Sequence, residues 1–169
     1  MKKITSLALV LFAFITVDGI SQDKKPASPK ETVETTIEGT KITIVYSRPS
    51  AKGRKVMGEL VPFGQVWRTG ANDATTIEFD KAVTIEGKSL AAGKYALFTI
   101  PGEKEWTIIF NKEPKQWGAY KYKESDDVLR VNVKPGKADF TETFTIALEK
   151  EGMNLKWETT SVTVKIKKG

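Results

Sequence analysis

Arginine is scarce in this chain and unevenly placed: of Arg48, Arg54, Arg68 and Arg130, the first three fall between Tyr46 and Thr76. Lysine supplies the other basic groups. A planar, multi-donor cation has therefore been put in one stretch of a lysine-using protein. Guanidinia that converge bind carboxylate, phosphate or sulfate through paired N–H donors. Among them runs Trp67-Arg68-Thr69-Gly70-Ala71-Asn72. Its indole offers stacking area, and its guanidinium, hydroxyl and amide offer orientation. That combination suits a sugar or a carboxylate-bearing small molecule. A second aromatic stretch, Trp117-Gly118-Ala119-Tyr120-Lys121-Tyr122, has the residue types that stack on sugar faces. The candidate ligand-binding set is Arg48, Arg54, Trp67, Arg68, Asn72, Trp117 and Arg130. The implied partner is an anionic or carbohydrate small molecule.

Each of these residues has a structural alternative. Trp67 can plug the end of a sandwich, with Arg68 paired to Asp73 or Glu78. The arginines can staple a loop by binding carbonyls and carboxylates, since ion-pair networks imitate sites. The Trp117 stretch can cover a sheet edge.

Histidine and cysteine are absent. The commonest general base, thiol catalysis and ordinary zinc sites are thereby removed. Chemistry would have to use carboxylates, Lys, Tyr, Ser/Thr or Arg. Glu59, Asp73 and Glu78 are the candidate acids for a hydrolase or isomerase, the alternative to a binding module. Paired-carboxylate glycosidases need two acids at a set separation, which a sequence does not display. A structural, envelope-interaction protein without a small ligand is the third reading. Glu124 and Asp126-Asp127 have the hard oxygen ligands calcium takes, but not a calcium-loop spacing. No metal and no cofactor are expected.

Residues 1–21 read as a secretory signal. Lys2 and Lys3 precede an apolar run from Ile4 to Val17, and Gly19-Ile20-Ser21 supplies small residues before a cut at Gln22. The run is short for a bilayer span. The expected location is periplasmic or secreted, with no transmembrane segment in the mature chain. Removing Lys2, Lys3 and Asp18 takes the net charge from +6 to +5. Such a surface attracts acidic polymers mildly. No nucleic-acid motif accompanies it, so no nucleic-acid partner is expected. Without disulfides the domain must stand on its core.

Residues 22–30, with Pro26 and Pro29, read as a flexible leader to a single domain over 31–169. Strand signals dominate that domain. Thr32–Ile37 and Lys41–Tyr46 flank a turn at Glu38-Gly39-Thr40. Thr75–Phe79, Ala82–Glu86, Lys94–Ile100, Trp106–Asn111, Asp127–Val133 and Phe140–Glu149 follow, then Asn154–Thr160 and Ser161–Lys167. No apolar period of 3.6 persists for three turns. The expected fold is all-β, a single-domain antiparallel sandwich or flattened barrel. Tyr46 to Thr76 is its one long ordered loop, since its apolar residues let it pack. Thr-Ile-Glu-Gly recurs at 36–39 and 84–87, which is read as shared hairpin chemistry. Ala119 to Asp126 has room for one short helix.

Tyr46-Ser47-Arg48-Pro49, Lys52-Gly53-Arg54, Gly58-x-Leu60-Val61-Pro62, Trp67 to Asn72, Ala92-Gly93-Lys94-Tyr95 and Trp106-x-Ile108-Ile109-Phe110-Asn111 together resemble a known family. It is the one numbered 2911 among the domains of unknown function, found mainly in Bacteroidetes. Gln116-Trp117-Gly118 and Asp127-Val128-Leu129-Arg130 fit the same pattern, from Ser28 to the end of the chain. The resemblance implies an exported, β-rich protein and no assigned activity.

Overall fold

A computed structural model describes residues 27–169. The expected signal sequence and the leader up to Pro26 lie outside the described residues. The end of the leader is tied down: the Arg48 N–H donates to Pro29 O at 2.9 Å, and a strand begins at Lys30.

β1 (Lys30–Ile37) and β2 (Thr40–Ser47) form a two-residue hairpin. Its turn residues, Glu38 and Gly39, have φ of +49° and +80°. β4 (Val83–Ile85) and β5 (Lys88–Leu90) repeat that geometry at Glu86 and Gly87, with φ of +48° and +80°. Two successive positive φ values give the turn whose twist matches the flanking strands. Glycine takes the second position freely, but glutamate at the first is strained. Each glutamate is held by the last strand: Glu38 accepts from Lys168 N–H at 2.9 Å and Glu86 from Lys165 N–H at 2.6 Å. The repeat is thus shared turn chemistry with a second task, fixing the C-terminal strand.

β3 (Thr75–Phe79), β6 (Gly93–Ile100), β7 (Trp106–Asn111) and β8 (Asp127–Val133) complete a six-stranded sheet ordered β1-β2-β3-β6-β7-β8. β9 (Gly136–Glu149) and β10 (Gly152–Lys168) join the smaller hairpin in a four-stranded sheet ordered β5-β4-β10-β9. All pairings are antiparallel, and the sheets do not close on each other, so the fold is an open sandwich rather than a flattened barrel. Alternation in β2 turns Ile42, Ile44 and Tyr46 inward, where they meet Phe144 and Ile146 of β9.

Four details differ from expectation. Residues 154–167 form one strand, because no turn residue separates Thr160 from Ser161. The strand bends at Glu158, φ +50°, where the register slips and the carboxylate accepts from Val56 N–H at 2.8 Å. β9 starts earlier, at Gly136, and β5 was too short to read. The possible helix is a single 3-10 turn, Glu124–Asp126.

The large sheet is buried on both faces at its centre. Ala96, Phe98 and Ile109 point away from the main core into a second cluster with Ala74. Ala119 and Tyr122 pack against this cluster, so the 112–123 segment lies over the outer face. The Tyr122 ring meets Phe98 edge-on at 5.1 Å. Among the described residues, no helix is long and apolar enough to cross a membrane.

Candidate functional site

The segment from Arg48 to Ala74 has no regular element, yet it is tied to both sheets. Ser50 bridges to Thr143 of β9, and Trp67 bridges to Thr99 of β6. Ala51, Val56, Met57, Val61 and Trp67 lie in the main core. Trp67 is 9% exposed and stacks on Trp157 at 5.9 Å, while its indole N–H donates to Gly70 O at 3.0 Å. Gly70 is required by close approach: a Cβ there would stand 2.9 Å from Ser47 O.

The arginines go to separate places. Arg48 pairs with Glu31 and donates to Phe144 O at 3.2 Å and Thr145 Oγ1 at 2.8 Å, tying β1 of the large sheet to β9 of the small one. Arg54 closes its own loop through Ala51 O and Ser50 O, each at 2.9 Å. Arg68 is half-buried. Its Nε is buried without a partner among the described residues, and it pairs with neither Asp73 nor Glu78, whose ion pairs are to Lys30 and Lys94. Arg130 donates to Asp127 Oδ2 at 2.7 Å and Tyr122 Oη at 2.6 Å and pairs with Glu124 at 3.1 Å. None of the four lines either of the two clefts described below, and among the described residues they have no common partner.

Trp117 does reach a cleft. About 480 Å³ opens on the outer face of the large sheet, between the end of β2 and the Pro114–Trp117 stretch. Val45, Ala74 and Thr76 contribute apolar and hydroxyl surface, and Ser47 and Gln116 contribute polar groups. Trp117, 64% exposed, forms one side. Lys30, Lys94 and Lys115 surround it, against one carboxylate, Asp73. Lys30 stands 3.8 Å from Asp73, Lys94 pairs with Glu78 at 3.5 Å, and Lys115 has no carboxylate partner among the described residues. Asn72 supports the site from behind: its carbonyl accepts from Gly118 N–H at 3.0 Å, and its amide reaches Ser47 Oγ at 3.5 Å. Of the seven expected residues, the fold joins Asn72 and Trp117; it does not join the other five to them.

Beyond Lys115 and Gln116 lies a second cleft of about 550 Å³, lined also by Tyr120, Lys121, Tyr122 and Lys123. The residue that organises both is Asn111, wholly buried at the end of β7. Its amide donates to Asp127 Oδ1 at 2.8 Å, and its oxygen accepts from Glu113 N–H and Gln116 Nε2, both at 3.1 Å. Sequence reasoning missed Asn111, Lys30, Lys94 and Lys115. A polar residue ending an apolar strand was the only available signal, and it applies to Asn111 alone.

Beneath the second cleft, Tyr122 donates to Asp127 and accepts from Arg130. Burial, then the bond to Asp127, pushes the Tyr122 pKa up to about 12. Burial works against the charge on Arg130, but its bonds to Asp127 and Tyr122 prevail and raise its pKa. A raised phenol pKa means the folded protein holds its proton longer than the unfolded chain. The stability this contributes is complete below the unfolded value of about 10 and is lost as pH rises through about 12. Denaturant midpoints measured from pH 9 to 12 should fall more steeply in the parent than in Tyr122→Phe. Parallel curves would refute the assignment.

The carboxylates answer cations. Glu59 pairs with Lys55, Asp126 with Lys112, and Glu124 and Asp127 with Arg130. Among the described residues no three acidic side chains form a metal-sized group.

Fold and site together define a two-sheet antiparallel sandwich with a cleft of small-molecule size on the outer face of its larger sheet. The chain matches the family described as "Protein of unknown function (DUF2911)" over residues 28–166, and it belongs to that family. No curated protein and no solved structure matches it.

Proposed function

We propose that the protein is an exported binding module for an acidic, sugar-like small molecule, taken up in the cleft beside Trp117. One observation carries this: an exposed tryptophan, Trp117, walls a cleft of about 480 Å³ ringed by Lys30, Lys94 and Lys115. A ring face left in water gains by stacking on an apolar sugar face. The lysines complement a carboxylate, phosphate or sulfate on the same molecule. The anion-binding role expected of the arginines thus passes to lysines, with Asn72 holding the Trp117 loop. The hydrolase reading has less support, because the cleft offers only Asp73, beside Lys30, and retaining or inverting glycosidases use two acids. Export is supported by the Lys2-Lys3 start, the Ile4–Val17 run and the small residues before Gln22.

One experiment addresses both parts. Protein recovered from producing cells is weighed intact, and its tryptophan fluorescence is then followed against glucuronate, galacturonate, glucose 6-phosphate and glucose. The chain should begin at Gln22, and the acids should bind better than glucose. Trp117→Ala should weaken binding about tenfold, or about 1.4 kcal/mol, without lowering the melting temperature. Lys115→Gln should reduce the preference for acids. Binding of none of the four, or full affinity in Trp117→Ala, would refute the binding reading. Recovery of the Met1 form in membranes would refute export.

A further inference from the structure

We infer that the natural ligand is a polymer, an acidic polysaccharide whose chain runs from the Trp117 cleft over Lys115 and Gln116 into the second one, with one sugar against Trp117 and another against Tyr120. The inference rests on the binding reading above and specifies the ligand class.

The two clefts share Lys115 and Gln116, so they are neighbours across a single ridge. Each has one strongly exposed aromatic ring, Trp117 at 64% and Tyr120 at 84%. Tyr120 is not a loose surface ring. Gly118 has φ +65°, and a Cβ there would come within 2.8 Å of Tyr120 Cε2, so the ring lies directly over the glycine backbone. A side chain at 118 would push it away.

The ridge is built rigidly. Gln116 Nε2 donates to Glu113 O at 2.7 Å and to buried Asn111 at 3.1 Å, and Gln116 O accepts from Ala74 N–H at 2.9 Å. Asp73 bridges to Trp117 on the same side. The backbone that carries the two rings is thus held before binding, which lowers the ordering cost of association.

Charge continues across the ridge. The second cleft sets Lys115, Lys121 and Lys123 against Glu113 and Asp126, and Asp126 is already paired with Lys112 at 3.1 Å. Both clefts are therefore net positive, which favours an anion repeated along a chain over a single charged group. The lysines ringing both clefts and the polar Gln116 ridge between them suit a charged sugar chain, whereas a lipid surface calls for a broad apolar face.

The test titrates the full protein with galacturonate oligomers and heparin-derived oligomers of one to six units. Neutral cello-oligomers and phosphatidylglycerol vesicles serve as competing probes. In at least one acidic series, affinity should rise about tenfold or more from one unit to four and then level off. Tyr120→Ala should narrow the ratio of tetramer to monomer affinity at least about threefold, and Lys121→Gln with Lys123→Gln should reduce its salt dependence. Trp117→Ala should weaken binding at every length. If the monomer binds as tightly as the hexamer, the polymer inference fails and the small-molecule reading stands. Equal binding of neutral oligomers, or Tyr120-dependent binding of vesicles in place of oligomers, also overturns it. If no probe of any length binds, both readings fail together.

Discussion

Trp67→Ala should destabilise the fold by about 3–5 kcal/mol, the range for deleting a large aromatic side chain from a core. Three contacts set this size. Trp67 stacks on Trp157 at 5.9 Å with planes 20° apart, meets Phe144 edge-on at 5.0 Å, and meets Trp106 edge-on at 6.4 Å. Trp157 and Phe144 belong to the small sheet and Trp106 to the large one, so the ring joins the two layers. Its backbone exchanges two hydrogen bonds with Thr99, at 2.7 and 2.9 Å, and anchors the long segment there. Alanine leaves a void that the two sheets, each stiffened by its ladder, cannot collapse to fill. A domain has about 5–15 kcal/mol in hand, so the variant would be near its limit. Trp67→Phe keeps part of the ring and loses the bond to Gly70 O, and should cost less than alanine. Urea unfolding of both variants measures the effect. A loss below about 1 kcal/mol for alanine, accompanied by loss of ligand, would return the indole to a binding role.

The sequence displays the strands well for a physical reason. Thr75–Phe79, Trp106–Asn111 and Asp127–Val133 have the bounds read from their residues, because alternation and turn residues are local signals. The long segment was legible as the place where alternation stops while apolar residues continue. The destinations of its arginines were not. Arg48 finds partners 96 and 97 residues away, on a strand whose pairing with the segment no local pattern announces. Arg54 finds them three and four residues away. Arginine enrichment looked the same in both cases. The cleft shows the converse. Lys30 and Lys94 are ordinary lysines in a lysine-rich chain, and only the β1-β2-β3-β6 order brings them to one face. Trp117 was legible because a tryptophan among glycine, alanine, tyrosine and lysine has no strand to be buried in.

Asp127→Ala should cost about 3 kcal/mol, the lower end of the range for stranding a buried charge partner. The Asp127 side chain is 5% exposed and accepts three bonds, from Asn111 Nδ2, Tyr122 Oη and Arg130 Nε. Removing the carboxylate leaves the Asn111 amide with Lys123 O at 3.2 Å as its remaining acceptor. Arg130 keeps Glu124 and is one-third exposed, so its charge is partly relieved by water, which holds the cost near the lower bound. Asp127→Asn keeps the volume and one acceptor but sets an amide N–H₂ among donors, and should cost about 1–3 kcal/mol. The effect should also be local. Asn111, Tyr122 and Asp127 pin the 112–126 segment to the outer face, so backbone amides there should lose hydrogen-exchange protection before those of β2 and β3. Trp117 and Tyr120 are carried on that segment, and their relative placement should loosen with it. Asp127→Asn is therefore expected to reduce the gain in affinity with oligomer length more than it reduces affinity for a single sugar acid. Unchanged melting and unchanged exchange would mean that the outer-face segment is held by Phe98, Ala119 and Tyr122 packing alone.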